Sequence, residues 1–272
     1  MRLKSLILAI AAGVAPASDL WGQLGLALSP MRLELRFPKG GQHTGVLTLT
    51  NDSNARIRIR AEVLDFFIDA AATPQFGREF KQEQEYSCKQ WLTLNPMELE
   101  LGAGVQRGIR YTLRVPAEAS ESSYHCAAGF STLPSPAQKQ GVGIATAVRI
   151  ISAFYAIAGK PEVQGELRDM KIEYVPDAKT PVWRAVVSVE NLGLMYFRPI
   201  GELALLSAEG KVLESMEFQP LPVLPKRKQR FLFVLKGPIH AGTEYKLRAR
   251  IDIGGPELQE GTVSAKAELP TP

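Results

Sequence analysis

The chain is poor in the residues from which catalytic and metal centres are built. It has two cysteines and three histidines in 272 residues. Cys88 and Cys126 form no CxxC pair, and His43, His125 and His240 stand singly, so neighbours in the sequence make neither a thiol-redox motif nor a zinc-ligand run. No serine sits in a GxSxG elbow, and there is no HExxH pair and no phosphate-cradling glycine loop. Acidic neighbours such as Glu98 and Glu100 are two apart on a strand and share one face, which is ordinary for a solvated surface. These absences argue against an enzyme and leave no metal or cofactor to expect; they do not bear on glycosidases, whose paired carboxylates carry no short signature. Charge of one sign is lacking too. The net charge of +4 falls to +2 when Arg2 and Lys4 are removed, too mild for nucleic-acid binding.

Long apolar runs are missing after the first residues. Arg2 and Lys4, an apolar run from Leu6 to Val14, and Ala15-Pro16-Ala17 make the layout of a secretory signal peptide over residues 1–25, with cleavage between 17 and 27. No later segment is long and apolar enough to span a bilayer. The expected location is therefore outside the cytoplasm, where two thiols usually pair. A Cys88–Cys126 disulfide encloses 37 residues, worth about 4 kcal/mol by loop-closure entropy. Two unpaired buried thiols are the other arrangement the spacing allows.

What the chain does have is alternation. From Gly141 to Pro161 it runs for about the length of a membrane helix, but Arg149 sits mid-way and bulky residues alternate, which reads as a long strand. Val142, Ile144, Thr146, Val148, Ile150, Ser152 and Phe154 share one face; Gly143, Ala145, Ala147, Arg149, Ile151, Ala153 and Tyr155 share the other. Gly159-Lys160-Pro161 then reads as a domain boundary. Before it, Leu26 to Phe37, Gly45 to Thr50 and Ile57 to Ile68 read as a three-strand antiparallel meander. Residues 69–87 read as an irregular connection, and further strands lie at Trp91–Asn95, Met97–Leu101, Gln106–Val115 and Tyr124–Phe130. After the boundary, strands are expected at Trp183–Val189, in a Leu203–Leu206 and Val212–Glu214 hairpin around Glu209-Gly210, and at Phe231–Leu235, Tyr245–Ile253 and Thr262–Ala267. Short strands with frequent turns are the pattern of immunoglobulin-like sandwiches, here two in tandem at 26–158 and 161–272. The basic cluster Lys226-Arg227-Lys228-Gln229-Arg230 reads as a solvated turn before a patch for an anionic partner.

Several pieces fall in a familiar order. Ser29-Pro30-Met31-Arg32 opens the first strand, and Val46-Leu47-Thr48-Leu49-Thr50-Asn51 ends at an asparagine turn. Trp91-Leu92-Thr93-Leu94-Asn95-Pro96 is followed by Leu99-Glu100-Leu101-Gly102 and Ile109-Arg110, and Ser152-Ala153-Phe154-Tyr155 closes the last strand. Over roughly residues 26–158 this resembles the PapD-like periplasmic pilus-assembly chaperones. The resemblance implies a periplasmic chaperone that lends its last first-domain strand to a β-rich subunit, pilin-like or otherwise exported, with an outer-membrane usher as a further partner. It also implies an arginine and a lysine that hold the subunit's terminal carboxylate. Arg32 stands at the arginine position and Ser152 at the lysine position; Val142, Ile144, Val148, Arg149, Ile150 and Ser152 fall on the lent strand. Arg149 lies three residues from Ser152, on the opposite face. In the second half, Val189-Glu190-Asn191-Leu192-Gly193, Pro225-Lys226 and Ala241-Gly242-Thr243-Glu244-Tyr245 look like the second module of surface proteins that bind cell-wall material or partner proteins. That makes a two-module binding protein without chaperone activity the alternative. Tyr124, two residues before Cys126, resembles the tyrosine corner of immunoglobulin domains, whereas Cys88 precedes the aromatic strand and so is not the usual immunoglobulin partner.

Overall fold

The computed structural model describes residues 25–80, 85–133, 147–176 and 182–269. Ten strands build a first sandwich: β1 (Leu26–Ser29), β2 (Arg32–Phe37), β3 (Gln42–Asn51), β4 (Ile57–Ile68), β5 (Pro74–Gly77), β6 (Leu92–Asn95), β7 (Glu98–Leu101), β8 (Gln106–Arg114), β9 (Ser122–Leu133) and β10 (Arg149–Ala158). Seven more build a second: β11 (Gly165–Val175), β12 (Val182–Asn191), β13 (Ile200–Leu206), β14 (Val212–Glu217), β15 (Lys228–Val234), β16 (Glu244–Asp252) and β17 (Gln259–Lys266). In the first, a sheet of order β1-β3-β8-β6 faces one of order β2-β10-β9-β4-β5, with β7 also on β4; in the second, β11-β12-β15 faces β14-β13-β16-β17. The protein is thus all-β, two immunoglobulin-like sandwiches.

Pro30 divides what alternation presents as a single strand. β1 pairs antiparallel with β3, whereas β2 crosses to the facing sheet and pairs in parallel with β10. A proline has no N–H to give to a ladder, so a strand changes sheets there at little cost. The expected meander is therefore absent: β3 lies between β1 and β8, and β4 pairs with β9, β5 and β7. Within the expected irregular connection at 69–87, the described residues 69–80 hold a defined turn and a strand. The Asp69 carboxylate accepts the N–H groups of Ala71 and Thr73 at 2.9 Å each, and the turn it makes returns β5 along β4. β11 goes unread in the sequence because a bulge between Leu167 and Asp169 shifts the alternation by one residue part-way along. The long strand read from residue 142 is described from Arg149 and runs on to Ala158; Val142 and Ile144 lie outside the described residues. Two cations of the 226–230 cluster pair with β11, Lys228 Nζ 2.9 Å from Asp169 and Arg230 Nη2 3.0 Å from Glu173.

The first core is filled from both sheets by Leu47, Leu49, Ile109, Leu113, Phe130 and Phe154, among others. Cys88 and Cys126 are disulfide-bonded inside it, with Cα atoms 5.2 Å apart. The Tyr124 hydroxyl donates to the Ser120 carbonyl at 3.1 Å, the tyrosine-corner bond, and its ring centroid is 4.4 Å from that of Trp91.

β9 is buried at every residue from Ser122 to Phe130. One face carries Tyr124, Cys126, Ala128 and Phe130 into the first core, and the other meets the second sandwich. There Leu64, Phe66, Ala127, Tyr155 and Ile157 pack with Tyr196 and Leu224. The seam is fixed by hydrogen bonds at Ser123. Its N–H donates to the Leu194 carbonyl at 2.8 Å, and its Oγ accepts the Tyr196 N–H at 2.7 Å.

Replacing both cysteines by alanine is expected to lower stability by roughly 2–4 kcal/mol, the usual range for a disulfide of this loop size. Equilibrium denaturant unfolding of oxidised, reduced and double-alanine protein checks it, and equal midpoints would contradict it. His125 supplies a second expectation. Its ring centroid is 5.0 Å from that of Phe66, and its Nδ1 is buried without a hydrogen-bond partner. Burial, aided by Arg227 and opposed by a hydrogen bond to the Phe66 backbone, pulls its pKa down to about 4 from an ordinary 6.5. Between those values the unfolded chain binds more protons than the folded one. The contribution of neutral His125 is therefore whole above about pH 6.5 and falls as the pH drops toward 4, by up to about 3 kcal/mol. Unfolding free energy measured from pH 7.5 to 4 is expected to lose part of its slope in His125→Gln.

Candidate partner-binding edge

β10 has two flanks, and they are not treated alike. On one, β9 pairs with the whole strand, from Arg149 opposite Ser131 to Ala158 opposite Ser122. On the other, β2 begins only at Arg32, level with Ala153. Among the described residues, no strand lies along that flank from Arg149 to Ser152. The Ala153 N–H is taken by the Met31 carbonyl at 2.9 Å, so residue 153 turns its polar groups toward β2. Backbone groups alternate along an extended chain, and Ile151 and Arg149 therefore turn theirs to the uncovered flank while Ile150 and Ser152 turn theirs to β9. The bond from the Thr132 N–H to the Val148 carbonyl at 2.9 Å has the parity this requires.

The side chains divide by the same alternation. Ile150 packs against the first core, and Phe154 is fully buried in it. Ser152, at the position that resembles the family lysine, faces that way as well: it is fully buried, and its hydroxyl donates to the Pro30 carbonyl at 2.9 Å. Its side chain presents no group on the face that Arg32 occupies. Val148 is half-buried, with its N–H bonded to Thr132 Oγ1 at 2.9 Å. On the opposite face, Ile151, Ala153 and Tyr155 belong to the apolar cluster at the seam. Arg149 lies on that face, with Nη2 2.6 Å from the buried carboxylate of Glu62, which also accepts from Arg78 Nε at 2.7 Å. Gly129 lies between Glu62 and Ile151 in the sheet. A Cβ there would come within 2.7 Å of Leu64 and 3.3 Å of Ile151, so the absence of a side chain lets these residues close over β9.

At the other end, Arg32 is on β2 beside Ala153, half-exposed, with Nε 3.3 Å from Glu34 Oε1. The same oxygen accepts from Arg198 Nη1 of the second sandwich at 2.9 Å. The Arg198 guanidinium lies 4.7 Å from the centre of the Tyr155 ring and 5.0 Å from that of Tyr196, within cation–π range. Burial raises the pKa of both phenols.

Arg32 and β10 are thus brought together at the seam, while Arg149 is held four residues down the strand and Ser152 is turned inward. Glu34, Glu62, Arg78 and Arg198 were not singled out from the sequence. Glu34, two residues after Arg32 and so on its face, carried a legible signal; the others depend on non-local pairing. Among the described residues, no group of three or more His, Cys, Asp or Glu side chains is placed to hold a metal ion.

No protein-family model matches the chain, and no curated protein matches it. Several solved structures are similar to it. A chain of the chaperone–tip adhesin complex of CFA/I fimbriae biogenesis is 9% identical over 89% of this chain and 98% of its own, with a TM-score of 0.47. The class 5 fimbriae chaperone CfaA is 10% identical over 91% and 100%, with a TM-score of 0.45. The E. coli chaperone DraB is 16% identical over 91% and 97%, with a TM-score of 0.41.

Glu62→Gln keeps the shape of the side chain but removes the charge from two charge-assisted bonds. It is expected to lower stability by roughly 1–3 kcal/mol. Thermal unfolding reads the loss, and an unchanged midpoint would show that the pair of arginines contributes nothing there.

Proposed function

We propose that the protein is a periplasmic chaperone for a β-rich fimbrial or surface subunit, which it holds by adding the uncovered flank of β10 to the subunit's incomplete sheet. The observation that carries this reading is that Arg149 and Ile151 turn backbone donors and acceptors to a flank that β2 covers only from Ala153. An exposed strand edge invites pairing with another chain, and folds keep such edges short or covered. Here the uncovered stretch is a short part of the sheet's edge, bounded by β2, which favours a specific guest over open-ended aggregation. An added strand supplies main-chain hydrogen bonds for affinity, and alternate side chains supply selection. The guest's side chains on the seam face would meet Ile151 and Ala153, and Arg32 stands where the flank ends. A guest strand running in the direction of β10 brings its terminal carboxylate to that arginine, as the resemblance of the first sandwich implies. The expected partners are protein subunits of this kind, with hand-over to an outer-membrane usher as the following step.

The test is affinity capture of the tagged full chain from a periplasmic fraction, with mass spectrometry of what accompanies it. A stoichiometric small β-rich subunit is expected. Ile151→Pro removes an N–H aimed at the uncovered flank and spares those aimed at β9, so it should weaken capture by roughly tenfold or more. Arg32→Ala, at an exposed position, should weaken capture with the thermal midpoint unchanged. Recovery of the protein alone, or undiminished capture by both variants, would overturn the proposal.

A further inference from the structure

The only ion pair that crosses the seam among the described residues doubles as a carboxylate site filled from within. Glu34 Oε1 lies 3.3 Å from Arg32 Nε and 2.9 Å from Arg198 Nη1, so one carboxylate is shared by an arginine from each sandwich. The two arginines carry one more positive charge than the acid they hold. They also differ in freedom: the Arg32 side chain is 56% exposed, and that of Arg198 is 15% exposed. The Arg198 guanidinium lies beside the adjoining Tyr155 and Tyr196 rings, a contact that restricts its rotamers and lowers the entropic cost of gripping an anion. The Glu34 side chain, by contrast, is 41% exposed and can swing into solvent.

The place matters as much as the chemistry. Arg32 is level with Ala153, where the uncovered flank of β10 ends. Ser152 is turned into the core, and Arg149 is engaged by Glu62, so β10 itself offers no second cation at that end. We propose that Arg198 of the second sandwich is the second cation of the guest's carboxylate site, and that Glu34 is its resident occupant, displaced when a chain-terminal carboxylate arrives. This inference rests on the strand-addition reading. It adds that the site is shared between the two sandwiches and is closed to neutral chain ends, because only an anion can replace Glu34 between two guanidinium groups. It also makes Glu34 a competitor, so that empty chaperone holds its own joint together and loaded chaperone exchanges that bond for the guest.

The experiment uses the full chain and a fluorescein-labelled ten-residue peptide of alternating valine and serine, made with either a free carboxylate or a C-terminal amide, with binding read by fluorescence polarisation. The free acid is expected to bind the parent protein roughly tenfold more tightly than the amide. Glu34→Gln, which leaves the two arginines without their carboxylate, should tighten the acid about three- to tenfold and leave the amide unchanged. Arg198→Gln should erase the preference for the acid, with Arg198→Lys restoring part of it and thermal melts confirming that both variants fold. Equal binding of acid and amide that is still lost in Ile151→Pro would overturn the inference and leave strand addition standing. Binding of neither peptide would overturn both. Preference for the acid surviving in Arg198→Gln would overturn the role given to Arg198.

Discussion

The geometry of the site depends on how far β2 covers β10. A strand inside a sheet normally has both flanks bonded, and a wholly bare flank would leave the first sandwich open to pairing with any extended chain. β2 meets β10 from Ala153 to Ala158 and, among the described residues, no strand neighbours Arg149 to Ser152 on that side. The limit is set by Pro30. The chain must leave the facing sheet after β1, and the residue at which it can join β10 is fixed by the length of the crossover. Two bonds hold that junction: the Ala153 N–H to the Met31 carbonyl, and the Ser152 hydroxyl to the Pro30 carbonyl. The serine thus has a structural reason to face inward, and a lysine in its place would have to abandon the crossover or bury its charge.

The second sandwich contributes more than bulk. β9 is buried on both faces because it belongs to the first core and to the seam at once, and its small residues Ser122, Ser123, Ala127 and Gly129 are what allow close approach. Ser123 bonds to Leu194 and Tyr196 through both backbone and side chain, which fixes the loop that carries Arg198. A rigid joint therefore places a cation of one sandwich against an acid of the other. Charge at such a place serves selection more than stability, since a half-exposed ion pair is worth about 1 kcal/mol or less.

Much of this was legible in the residues, and the failures have identifiable causes. The hairpin around Glu209-Gly210, the disulfide and the tyrosine corner are local patterns or follow from the redox compartment, and the structure has all three. Period-2 alternation located most strands of both sandwiches. It failed at β11, where a bulge resets the phase, and at β1 and β2, where a proline cuts an unbroken alternation into strands of two different sheets. The pairing of β2 with β10 joins residues more than a hundred positions apart, and no local pattern encodes it. The inward face of Ser152 was implicit in its alternation with Phe154, yet which of two faces is the core depends on what lies across the sandwich. Arg198 sits in a stretch without strand periodicity, so nothing in its neighbourhood marked it.

Both ends of the uncovered flank share one electrostatic design. At the first, Arg149 and Arg78 close on Glu62; at the second, Arg32 and Arg198 close on Glu34. The acids differ in burial, 8% exposed at Glu62 and 41% at Glu34. Glu62 is itself buried beneath two partly exposed guanidinium groups that each bond it, so the first cluster is a brace under the start of β10. Glu34 is half-exposed and keeps a route to solvent, which is what the proposed exchange of occupants at the second cluster requires. Pairs of the same residue types, some four strand positions apart, are thereby given opposite roles by depth alone. On the strand-addition proposal, the flank they bracket is braced where a guest strand would register and exchangeable where its chain would end.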